Sequence, residues 1–168
     1  TAAYLYIGQS YLQTGNVNAA LLALEKAYRM DYDREVQETA FYNYAVAKAE
    51  GGRTPFGSSV SMFEDFLKRY PESRYAPEVE EYLVTGYMTD NNYEQALASI
   101  QKIRRPSAKI LTAKQRVLYT LGTRDVAAGR ISQAITRFTE AKSLAAHNKA
   151  IATECDLWLG DCYYRQGE

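Results

Sequence analysis

The chain has 168 residues, 46% of them hydrophobic, with only 4 Pro and 10 Gly, which is the composition of a folded domain and excludes a wholly disordered chain. At this length folding buries roughly 70% of the surface that the unfolded chain exposes. Twenty Lys plus Arg balance twenty Asp plus Glu, so no net field steers the chain toward nucleic acid or an anionic membrane, and nucleic-acid partners are disfavoured.

Apolar spacing at i, i+3 and i+4 predicts nine helices and no strand, at residues 2–13, 17–29, 34–50, 58–70, 76–89, 92–103, 109–127, 131–145 and 149–165. Asn16, Asp33 and Asn91 or Asn92 stand where helix N-caps belong. Pro71 and Pro106 follow second helices, and Pro77 falls in a first turn, where a missing N–H is tolerated. No run of about 18 apolar residues is present, so no span of a bilayer is expected. The chain begins at Thr1 with no basic segment before an apolar one, so it is expected to be a piece of a longer protein whose leader or lipid anchor cannot be read.

The helices pair into a repeating hairpin. A small or branched residue and a turn residue recur seven apart as Gly8 and Gly15, Ala45 and Gly52, Val84 and Asn91, Gly122 and Gly129, Gly160 and Gly167. Gly and Asn tolerate the left-handed conformation that closes a helix, so this offset marks helix stops. Five residues beyond the turn begin the second-helix faces Ala20, Leu24, Ala27; Ala96, Ile100, Ile103; and Ala134, Phe138, Ala141. The second copy reaches the same face from Ser59, with Phe63 and Phe66, after two extra residues in the loop GGRTPFGS. The first-helix anchors recur at intervals of 37, 39, 38 and 38 residues.

On these residues the chain resembles the tetratricopeptide repeat family. Tyr4, Ile7, Gly8, Tyr11, Gly15, Ala20, Leu24 and Ala27 carry the family's spacing over YLYIGQSYLQTGNVNAALLALEKA. The resemblance implies an all-α, right-handed α-α superhelix, a single array over 1–168 with repeats at about 1–33, 34–72, 73–107 and 108–146 and a half repeat at 147–168. The period exceeds the family's usual 34 or so. Lys48 and Asp125 stand where an aromatic is typical, and Val84 where Gly is usual. The long period and FEDFLKRYPESRYAPEVEEYLVTGY look like the subgroup of bacterial envelope proteins that includes the barrel-assembly lipoprotein and the periplasmic cell-division coordinator. That implies the periplasm or the periplasmic face of the outer membrane, with cytoplasm as the alternative.

Chemistry has little foothold in the sequence. No phosphate-binding glycine loop, zinc-protease helix or nucleophile elbow occurs. Cys155 and Cys162, seven apart in one predicted helix, have Cα atoms about 10.5 Å apart, beyond disulfide reach. With the sole histidine, His147, in a predicted turn, no metal, cofactor or catalytic residue is expected and the thiols read as small buried groups. Glu80 and Glu81, adjacent on a helix, diverge as on a solvated face.

The resemblance instead implies a non-catalytic scaffold that binds a protein or peptide in a concave groove lined by first helices. Carried over by position, the groove would comprise Leu5, Gln9, Leu12 and Gln13; Tyr42, Val46 and Glu50; Glu78, Glu81, Thr85 and Met88; Arg116, Tyr119 and Thr123; Leu157, Asp161, Tyr164 and Arg165. Tyr119→Ala or Arg116→Glu is expected to weaken partner binding without unfolding. Gly8→Leu or Ala96→Phe is expected to disrupt hairpin packing. Glu78 and Glu81 would repel the C-terminal carboxylate that the family's chaperone-binding members hold. Most of the 15 Tyr, including Tyr4, Tyr44, Tyr70, Tyr75, Tyr82, Tyr87 and Tyr93, read as packing residues. Tyr42, Tyr119 and Tyr164 leave a glycan-binding helper open, beside an accessory domain of a larger regulator or enzyme. The last helix carries Ile151, Leu157, Trp158, Leu159, Tyr163 and Tyr164, too apolar for a terminal outer face. Either self-association through that helix or a chain continuing past Glu168 is expected to cover it.

Overall fold

The computed structural model describes residues 2–31, 33–51 and 56–167, with side chains omitted at 56–58. Among the described residues there are nine α-helices and no strand: α1 Ala2–Gln13, α2 Val17–Arg29, α3 Arg34–Glu50, α4 Phe56–Arg69, α5 Ala76–Thr89, α6 Tyr93–Lys102, α7 Ala108–Ala127, α8 Ile131–Ser143 and α9 Lys149–Gln166. The expected bounds hold to within two residues. The fold is all-α, built of tetratricopeptide-type hairpins. Gly52 and most of the expected GGRTPFGS loop lie outside the described residues or side chains.

Four of the five turn residues chosen by the seven-residue offset have positive φ: Gly15 at 76°, Asn91 at 57°, Gly129 at 74° and Gly167 at 81°. The following residue's N–H then reaches back to a carbonyl of the last helical turn, Asn16 to Tyr11 at 2.9 Å, Asn92 to Tyr87 at 2.8 Å and Arg130 to Asp125 at 2.8 Å. One backbone solution therefore closes three hairpins. At the helix starts, Asn16 Oδ1 accepts from Ala19 N (3.2 Å) and Asp33 Oδ1 from Glu35 N (2.9 Å). Asn92 makes no such side-chain bond. Ser107 and Asn148, which the sequence pattern did not single out, cap α7 and α9 through the N–H groups of Ile110 and Ile151, each at 3.2 Å.

The chain packs as two compact units, residues 1–86 and 87–168. In the first, Leu5, Leu24, Ala27, Ala40 and Tyr44 form a cluster joining α1, α2 and α3. Tyr28 stacks on Phe41 with centroids 4.9 Å apart, and Phe41 meets Phe66 at 5.7 Å. Ser59, Phe63 and Phe66 are all buried, so the copy displaced by two residues still presents the face read from its spacing. Gly8 lets α1 and α2 close together, because a Cβ there would lie 2.6 Å from Leu24 Cγ.

In the second unit Ala134, Phe138 and Ala141 of α8 are fully buried. Gly122 repeats the device of Gly8: its Cβ would lie 2.7 Å from the Phe138 ring. Gln115 is fully buried, and its Nε2 donates to the carbonyls of Ala141 (3.3 Å) and Asn148 (2.9 Å), tying α7 to the end of α8 and the start of α9. Asp125, at 1% exposure, has Arg130 Nη2 at 2.7 Å from Oδ1. Arg137 Nη1 stands 2.9 Å from its Oδ2, near enough for strong attraction though not aligned for a hydrogen bond. Where an aromatic is typical, this copy has thus built a buried ion cluster.

Candidate partner-binding site

First-helix side chains can be compared by their distance from the anchors Gly8, Ala45, Val84, Gly122 and Gly160. Three residues before the anchor stand Leu5, Tyr42, Glu81, Tyr119 and Leu157; four after it stand Leu12, Ala49, Met88, Val126 and Tyr164. In α1, α3, α5 and α7 every one of these is buried or half-buried. Leu5 is 6% exposed, inside the first unit's cluster, and Leu12 packs against it. Both were expected in the groove and both are core, because this helical stripe faces the neighbouring helices. Among the described residues no second helix covers α9, and there Leu157 and Tyr164 are 72% and 82% exposed.

Two tyrosines of the first unit, Tyr42 and Tyr82, are engaged within the chain. Tyr42 stacks on Tyr75 with centroids 4.2 Å apart and planes 8° from parallel, and its hydroxyl donates to Glu78. Burial first, then the hydrogen bond to Glu78, holds its pKa well above the ordinary tyrosine range. Tyr82 stacks on Phe63 at 5.2 Å and donates to Glu50 Oε1 at 2.7 Å. Its hydroxyl is pushed up to about 12, by burial and then by Glu50. These two hydroxyl–carboxylate pairs link α3 to α5, a feature the sequence reading missed. Their partners lie 36 and 32 residues apart, with no local signal to join them. Glu80 is half-buried, and burial raises its pKa, so it does not share a fully solvated face.

In the second unit Tyr119 is half-buried, set edge-on to Phe138 at 6.1 Å, and its hydroxyl accepts from Trp158 Nε1 at 3.3 Å. A hydrogen bond to Glu154, then burial, raises its pKa. Tyr119 is therefore a packing residue, and the expectation that Tyr119→Ala spares the fold is withdrawn. Trp158 in turn stacks on Phe138 with planes 7° from parallel. Met88 is half-buried, Arg116 is exposed, and Arg165 pairs with Asp161 at 2.8 Å.

One stripe contains no buried residue in any of the five first helices. One and five residues after the anchors stand Gln9 and Gln13, Val46 and Glu50, Thr85 and Thr89, Thr123 and Ala127, Asp161 and Arg165, each exposed or half-buried. Eight of these ten are polar, so the stripe recognises by hydrogen bonding and charge. Among the described residues no cluster of His, Cys, Asp and Glu is arranged to hold a metal, and no helix is long and apolar enough to cross a membrane.

Fold and stripe together define a helical-hairpin repeat protein with a polar first-helix face. Residues 39–73 match the family model described as tetratricopeptide repeat. No curated protein matches. Among solved structures, one of the MamA protein covers 99% of this chain and 91% of its own at 12% identity and a TM-score of 0.53. A MamA RS-1 double mutant gives 98%, 95%, 16% and 0.53, and MamA AMB-1 gives 99%, 82%, 19% and 0.52. At these identities the likeness is one of fold.

Proposed function

We propose that the chain is a non-catalytic interaction scaffold, which binds a peptide or partner segment on the polar stripe of first helices within one unit, as part of a bacterial envelope complex. The observation that carries this reading is the recurrence of exposed or half-buried, mostly polar side chains at the same two offsets in five first helices. The envelope placement is supported by the period near 38 and by the 63–87 stretch, part of which lies in the segment matching the family model. Self-association through α9 belongs to the same proposal. A glycan-binding role draws less support, since the rings of Tyr42 and Tyr119 are packed against Tyr75 and Phe138.

The test is selection of peptides from a displayed library on the intact chain, followed by fluorescence anisotropy. Gln13→Lys and Glu50→Lys are expected to weaken the selected peptides by about tenfold or more. Unchanged affinity in both variants would place the site elsewhere, and binding on a glycan array without peptide binding would favour the sugar reading. Fractionation of source cells with an antibody to the chain checks the compartment; recovery with cytosol overturns the envelope placement.

A further inference from the structure

The charge balance of the whole chain conceals an uneven distribution. Residues 1–86 carry 8 Lys and Arg against 12 Asp and Glu, and residues 87–168 carry 12 against 8. Within the second unit the excess is concentrated in sequence, since seven Lys and Arg and not one acid stand between Glu94 and Asp125. Four of the seven, Lys102, Arg104, Arg105 and Lys109, lie at the end of α6, in its connection to α7 and on the first turn of α7. All four are exposed.

The acids of this unit are engaged elsewhere. Six stand from Glu94 to Asp161. Glu94 pairs with Arg137, Asp125 with Arg130 and Arg137, Glu140 with Lys114, Asp156 with Lys142 and Asp161 with Arg165, at 2.5 to 3.0 Å. Glu154 is bonded to the Tyr119 hydroxyl. None of these bonds goes to Lys102, Arg104 or Arg105, so their charge is left for a group outside the unit. Through its bond to the Asn148 carbonyl, Gln115 sets the start of α9 beside α7 and brings exposed Lys149 to the same end. The positive end of the α7 dipole lies there too. What accompanies the cations decides the kind of anion. No aromatic residue occurs between Tyr93 and Tyr119, so there is no ring on which the bases of a single-stranded nucleic acid would stack. No large apolar side chain is exposed there either, so nothing would enter a bilayer beside its headgroups. Adjacent Arg104 and Arg105 instead offer planar forks, which match carboxylates two bonds at a time.

We propose that the α6–α7 connection of the second unit docks an acidic segment of a partner protein, rich in Asp and Glu. Arg104 and Arg105 are its anchors, and Lys102, Lys109 and Lys149 supply the surrounding field. This surface is separate from the polar stripe of the first helices and does not depend on it. Because its groups are exposed, dissolved salt screens them, and binding weakens as ionic strength rises.

Fluorescence anisotropy of a labelled poly-Glu peptide with the intact chain tests it. Binding is expected at low ionic strength. Arg104→Gln combined with Arg105→Gln is expected to weaken it at least about fivefold. Arg124→Glu makes the same change of net charge at the far end of α7 and is expected to alter binding by no more than about twofold. Circular dichroism melts confirm that both variants remain folded. Absence of peptide binding at low salt overturns the proposal, as do equal losses in the two variants. Tighter binding to vesicles containing phosphatidylglycerol, or to an oligothymidylate, than to the peptide assigns the surface to lipid or nucleic acid and equally overturns it. Gln13→Lys and Glu50→Lys, in the first unit, are expected to leave this binding in place, so failure of either reading is distinguishable.

Discussion

Helices α7 and α9 occupy the same register of the repeat and face opposite fates. Around Gly122 the ring of Phe138 fills the space that a side chain would take; around Gly160 the space is open. Three residues after the anchor, α7 buries Asp125 between two arginines, while α9 leaves Tyr163 40% exposed. The difference shows that an anchor residue is not itself a packing contact. It becomes one only when a second helix arrives, so identical glycines carry opposite energetic meaning.

Substitutions at paired positions sharpen this contrast. Asp125→Ala removes the carboxylate that Arg130 and Arg137 share, leaving Arg137 with Glu94 at 3.0 Å, and is expected to lower stability by about 2–3 kcal/mol, against no more than about 0.5 kcal/mol for Tyr163→Ala. Urea titration of both variants measures the gap, and equal losses would mean that the cluster is no more than a surface pair. Gly122→Ala presses a methyl into the Phe138 ring and is expected to cost about 1–3 kcal/mol. Gly160→Ala adds helix propensity in open space and is expected to gain about 0.5–1 kcal/mol. A loss at both glycines would show that α9 is already covered in solution.

The smallest effect concerns the inner face of α9. Burial pushes the Cys155 thiol from 9.0 up to about 11, because the thiolate would lose its hydration. The folded chain thus keeps a proton that the unfolded chain releases. This contribution is full below pH 9 and is lost as pH rises through 11. Tyr82 acts in the same sense up to about 12. Melting temperature is expected to hold to about pH 9 and then fall, with a shallower fall in Cys155→Ala.

Much of the fold was legible because its signals are local. Gly15, Asn91, Gly129 and Gly167 show a required backbone conformation in their residue type, and second-helix faces such as Ser59, Phe63 and Phe66 show burial in their spacing. The site was less legible. Leu5 and Leu12 had suitable positions for a groove, yet helical spacing identifies a stripe without saying which neighbour it meets. The Tyr42–Glu78 and Tyr82–Glu50 pairs were invisible for a related reason, since no sequence rule links side chains that only packing brings together.

By itself the sequence determined the nine helices among the described residues, their stops and the repeat that pairs them, because helix periodicity and left-handed turn residues act within a few positions of the chain. The tertiary structure alone decided which first-helix stripe is core and which is exposed, how the odd residue Asp125 is neutralised, and which side chains fill the space at Gly8 and Gly122. Those outcomes depend on which helix lies against which face, and that is set by the summed packing of side chains far apart in sequence.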